Sequence, residues 1–222
     1  MNDTKPAEEA AMDIAAQEME RDAKRATELM DKDPSLPFIS ALVIARDMAS
    51  ADRSMQWLRD GTHDWGRAEV FCGSYGRLDL RVRAWEEGLI TDEQALAAED
   101  LPHAWSGSDP DDTDPRFLAL WKSAFNANGG TYLRDGEDTL PGSQWLTIYR
   151  GQDAGAPFGI AWSLDPMVAA KFADGAATRQ HNRGGVVYRA IVERSKVLGY
   201  MTGRGEQEVI VDPADLTMVE RP

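Results

Sequence analysis

Four side chains in the last third of the chain have the types and spacing to do chemistry: Arg150, Ser163, Glu206 and Glu208. Arg150 closes the apolar run Trp145-Leu146-Thr147-Ile148-Tyr149 and precedes Gly151. An arginine there can grip a phosphate or carboxylate through paired N–H donors, and a glycine beside it lets a ligand approach the backbone. Ser163 closes a second run, Gly159-Ile160-Ala161-Trp162, and offers a hydroxyl. Glu206 and Glu208 are two apart, so on one strand they project from one face, where like charges push their protonation equilibria apart. Each has a plainer alternative: an edge-strand arginine before a turn, a turn or cap serine, and a solvated acidic strand start. A serine-hydrolase triad has little support, because the chain lacks a Gly-x-Ser-x-Gly elbow and offers only His63, His103 and His181 as bases.

Short strands must position these residues. Trp145–Tyr149, Gly159–Trp162, Val186–Val192, Lys196–Leu198, Glu208–Val211 and Thr217–Val219 are rich in β-branched and aromatic residues and are bounded by turn formers. One helix interrupts them, with Asp165 as cap and Pro166 as first residue, carrying Val168, Phe172 and Ala173. The front of the chain has the helical period instead. A polar helix or arm spans Pro6 to Asp33, a core-facing helix runs from Phe38 to Arg59, and helical spacing continues from Trp65 to Glu87 across Gly73 and Gly76. Thr91-Asp92-Glu93-Gln94 has the form of a capping box, opening a helix to about Asp100. Ser108 to Pro115 is acidic but lacks the central glycine and closing glutamate of a calcium loop; it is expected to be a turn in which Asp114 caps a helix starting at Pro115. The expected organisation is therefore a polar helix or flexible arm (1–34), a helical lobe (35–140) and a β-rich core (141–222), the last two forming one compact α+β unit.

Composition narrows the function. With 42% hydrophobic residues and seven Trp, the 222-residue chain can bury a core. A net charge of −14 opposes a nucleic-acid partner held by general phosphate attraction. The lone Cys72 excludes an intramolecular disulfide and a thiolate zinc cage, and no metal site is expected. No apolar run approaches the ~18 residues of a membrane span, and no secretory signal pattern opens the sequence. A cytoplasmic protein with no membrane partner is expected.

Tyr149-Arg150-Gly151, then Ala161-Trp162-Ser163 with its trailing helix, then Glu206-Gln207-Glu208-Val209-Ile210-Val211 resemble the three motifs of the ADP-ribosyltransferases of the Arg-Ser-Glu class. The resemblance covers about residues 145–213, and the triplet Ser163-Leu164-Asp165 keeps only the first of the family's serines. It implies a split-sheet core behind a helical lobe, and NAD as the substrate from which nicotinamide is released. Arg150 would hold an NAD phosphate and brace the site, and Gly151 would offer backbone groups to the nicotinamide amide. Ser163 would orient Glu208, which would bind the ribose 2′-hydroxyl and stabilise the oxocarbenium-like centre. Glu206 would orient or deprotonate an acceptor, with protein arginine favoured. Arg179 or Arg183, in the polar stretch after the helix, would touch the pyrophosphate, and Phe172 would stack on nicotinamide or else pack in the core. NAD glycohydrolase activity, and a catalytically inactive acidic module docking on a basic partner, are the alternatives. An effector acting inside a bacterial host and an endogenous regulator both fit the resemblance.

Overall fold

The computed structural model describes residues 5–34, 36–108, 110–175 and 185–221, with side chains from residue 12 onward. The first two helices, α1 (Lys5–Lys32) and α2 (Phe38–Asp60), form a hairpin. Ala26, Ala41 and Ala45 are fully buried between them, small side chains that let the helix axes approach closely. Helical spacing after Trp65 resolves into α3 (Trp65–Val70) and α4 (Arg77–Glu86), broken across Gly73 and Gly76. The capping box forms as expected: Thr91 accepts from the Gln94 N–H and the Gln94 side chain reaches back to the Thr91 N–H. It opens α5 (Asp92–Leu96), followed by α6 (Asp100–Ser106), a helix whose short, proline-containing sequence gave no signal of its own. Asp114 caps α7 (Pro115–Ala127), accepting from the Arg116 N–H. The buried Arg81 guanidinium ties α3, α4 and α5 together through Glu69 (2.5 Å) and the carbonyls of Gln94 and Ala95.

The back of the chain forms β1 (Leu133–Arg134), β2 (Trp145–Gln152), β3 (Ala161–Ser163), α8 (Pro166–Ala173), β4 (Val186–Glu193), β5 (Val197–Met201), β6 (Glu208–Val211) and β7 (Thr217–Glu220). They make one mixed seven-stranded sheet in the order β1-β5-β6-β3-β2-β4-β7. The sheet is continuous in hydrogen-bond order. Its weakest seam is between β3 and β2, which share a single paired position, Tyr149 opposite Ser163. Elsewhere the ladders are longer, eight pairs between β2 and β4 and three between β3 and β6.

Strand alternation sorts the core into two layers. Ile210 packs with Leu78, Leu101, Trp105, Leu120 and Trp121 of the helical lobe, so lobe and sheet share one core. Val209 and Val211 face the other way with Leu146, Ile148, Trp162 and Val192. β1 lies within the stretch assigned to the helical lobe yet pairs in parallel with β5. No helix among the described residues is long and apolar enough to cross a membrane.

Candidate functional site

The order β6-β3-β2 brings Glu208, Ser163 and Arg150 onto three adjacent strands. Ser163 is the register partner of both Tyr149 and Glu208, so the three motifs lie side by side at one level of the sheet. Directly paired residues share a face, which puts Ser163 and Glu208 on the same side; Arg150, one residue past Tyr149, starts from the opposite side.

Arg150 works at the seam where β2 and β3 stop pairing. Its Nη1 donates to the Ala161 carbonyl (2.5 Å), a side-chain bond that continues the tie between the strands beyond their one backbone pair. Nη1 and Nη2 also grip the Asp112 carboxylate (2.5 and 3.0 Å), and Nε donates to Gln152 Oε1 (2.5 Å). Asp112 Oδ2 additionally accepts the Ala161 N–H (3.0 Å), and its carbonyl accepts the Ile160 N–H (3.1 Å). The acidic loop before α7 is thus wedged into the seam, with both ionic side chains mostly shielded (15% and 17% exposed). Gly159 is required for this: a Cβ there would lie 2.3 Å from the Asp112 carboxylate. Of the five N–H donors of Arg150, one on Nη2 has no acceptor among the described residues.

Glu208 opens β6 beneath an aromatic roof. Trp105, on α6, donates its Nε1–H to Glu208 Oε1 (3.0 Å) and packs edge-on against Phe117 and Trp121. Burial pushes the Glu208 carboxyl up to about 7, opposed by the Trp105 hydrogen bond and the Arg204 charge and reinforced by the negative charges of Glu206 and Asp112.

Three expectations about the site change. Glu206 does not share a strand with Glu208: Gln207 takes a left-handed conformation (φ 46°), so the strand starts at Glu208 and Glu206 sits in the preceding turn. Arg204 brings the two carboxylates together instead, with Nη2 at 2.9 Å from Glu206 and 3.8 Å from Glu208. Ser163 does not hydrogen-bond to Glu208; its Oγ donates to the Glu206 carbonyl (2.6 Å) and accepts the Asp165 N–H (2.9 Å), holding the turn that precedes Glu208. Gly151 does not leave room for a ligand: a Cβ there would lie 1.9 Å from the Ala169 carbonyl oxygen, so its missing side chain serves the packing of α8 on β2.

Phe172 is half-buried on α8. Arg179 and Arg183 lie outside the described residues. Asp112, Trp105 and Asp135 were not singled out by sequence reasoning. Asp135 anchors the loop before Glu206, accepting the N–H groups of Thr202 (2.8 Å) and Gly203 (3.1 Å) and the Ser106 hydroxyl (2.9 Å). Trp105 lies on α6, too short to show a period, and Asp112 and Asp135 act on residues far along the chain.

No family model, curated protein or solved structure matches this chain.

Proposed function

We propose that this protein is a mono-ADP-ribosyltransferase that consumes NAD, releases nicotinamide and transfers ADP-ribose to a macromolecular acceptor, with protein arginine favoured. The observation that carries the proposal is Glu208: a carboxyl shielded beneath Trp105, cross-strand from Ser163, on the strand set that also bears Arg150. Such a carboxylate suits stabilisation of a positive centre. As the bond from ribose C1′ to nicotinamide breaks, its electron pair leaves with nicotinamide and C1′ becomes cationic. That charge favours ionised Glu208, and the interaction is stronger in the transition state than before it. A buried carboxylate set in place beforehand needs little reorganisation to act.

Ser163 and Asp135 support this indirectly by fixing the turn from which Glu208 projects. Arg150 braces the seam and has one donor left for a phosphate oxygen, so a phosphate would share the guanidinium with Asp112. In transfer, the acceptor nitrogen bonds to C1′ and gives its proton to Glu206. One observation favours a second reading, NAD glycohydrolase. Glu206 is already engaged by Arg204 at 2.9 Å, which an incoming arginine must displace and a water need not.

The test is incubation with NAD labelled in the ADP-ribose moiety, a polyarginine peptide and a bacterial lysate, recording free nicotinamide and label on protein. Wild type is compared with Glu208→Gln. Label on protein that disappears in the variant supports the transferase; nicotinamide release without labelled protein supports the glycohydrolase. Release equal in wild type and Glu208→Gln, or none in either, refutes both.

A further inference from the structure

A groove of about 560 Å³ opens beside the edge strand β1, at the far end of β5 from Glu208. Val197 lines it, whereas Met201, four residues along β5, is the residue paired with Glu208. At about 3.3 Å per residue these ends are roughly 13 Å apart, so the groove is distinct from the site described above.

Its lining residues carry two guanidiniums, three hydroxyls and two aromatic rings. Arg194 lies over the Tyr132 ring, 5.7 Å from its centroid, and Arg134 donates to the Glu137 carbonyl (3.0 Å). Neither arginine forms a salt bridge with a described carboxylate, although the chain carries 38 acidic residues against 24 basic ones. Two guanidiniums on one groove repel each other, and an anion between them relieves that repulsion. The hydroxyls of Thr131 and Ser195 line the same groove and have no described partner, so they are available as further donors. Phe125 and Tyr132 supply half-buried aromatic surface.

We infer that this groove binds a phosphate-bearing small molecule of nucleotide size. Arg134, Arg194, Thr131 and Ser195 hold the phosphate, and the rings of Phe125 and Tyr132 contact the remainder. Several donors around one anion match the three terminal oxygens of a phosphate monoester better than the two of a carboxylate. The volume lies within the ~300–1,000 Å³ usual for small-molecule sites. The inference stands on these residues alone and does not depend on the proposed function.

The experiment is isothermal titration calorimetry at low salt with AMP and, separately, adenosine. The proteins are wild type, Glu208→Gln, the double variant Arg134→Gln with Arg194→Gln, and Ser195→Glu, the last adding a repelling carboxylate at an exposed position that leaves the fold intact. AMP is expected to bind wild type and Glu208→Gln equally and adenosine at least tenfold more weakly. Both groove variants are expected to lose at least tenfold in AMP affinity. The inference is overturned if wild type shows no binding of AMP at millimolar concentration, if Ser195→Glu binds AMP as wild type does, or if binding is lost in Glu208→Gln instead.

Discussion

Replacing Glu208 by Gln should make the protein more stable at neutral and alkaline pH while removing the activity proposed for it. Gln keeps the shape and an oxygen to accept the Trp105 Nε1–H but cannot ionise. In the wild type, burial raises the Glu208 carboxyl from the ordinary 4.5 to about 7, with the side chain 12% exposed. A folded-state pKa above the unfolded one means that the native state holds the proton more tightly. The associated stability is present below pH 4.5 and is lost as pH rises through 7. At about 1.4 kcal/mol per pH unit, the whole interval is worth a ceiling of about 3 kcal/mol. Urea unfolding of both proteins from pH 4 to 8.5 should therefore show little difference at pH 4. A gap favouring Glu208→Gln should open between pH 4.5 and 7 and stay level above, at about 1–3 kcal/mol. A gap that does not change with pH, or a wild type that gains on the variant over this window, would refute the claim that burial holds this carboxyl protonated.

Two further outcomes follow from the neighbours of Glu208. Arg204 favours its ionised form, so in an Arg204→Ala background the lower end of the window should stay near pH 4.5 while its upper end rises and the level gap above it widens; an unchanged upper end and gap would show that the loop arginine does not reach the carboxyl. Asp112→Ala leaves the shielded Arg150 guanidinium and the Ala161 N–H without their shared acceptor and should cost about 3 kcal/mol in urea unfolding at pH 7, with Asp112→Asn costing less because an acceptor oxygen remains. A loss below about 1 kcal/mol for Asp112→Ala would mean that the wedge does not hold the β2–β3 seam.

Signals contained within a few residues were legible in the chain. The capping box at Thr91 and the Asp114-Pro115 and Asp165-Pro166 helix starts formed where local chemistry put them, and the β-branched runs of the back half became strands with shifted ends, β3 starting at Ala161 and β5 at Val197. Helix caps and strand patterns depend on neighbours in sequence, so sequence reports them. The two-residue β1 and the seven-residue α6 were missed because each is too short to show a period and exists by packing against the rest.

The types and order of Arg150, Ser163 and Glu208 were likewise visible without coordinates, and so was their assignment to successive strands. What each side chain touches was not. Trp105 meets Glu208 across 103 residues and Asp112 meets Arg150 across 38, contacts that leave no local trace. The left-handed Gln207 moved Glu206 off the strand, and the packing of α8 claimed the space beside Gly151. Residue identity supplies the charges and donors of a site. Burial, register and long-range pairing decide which of them are free to act, and these arise only once the sheet and the helical lobe close on a common core.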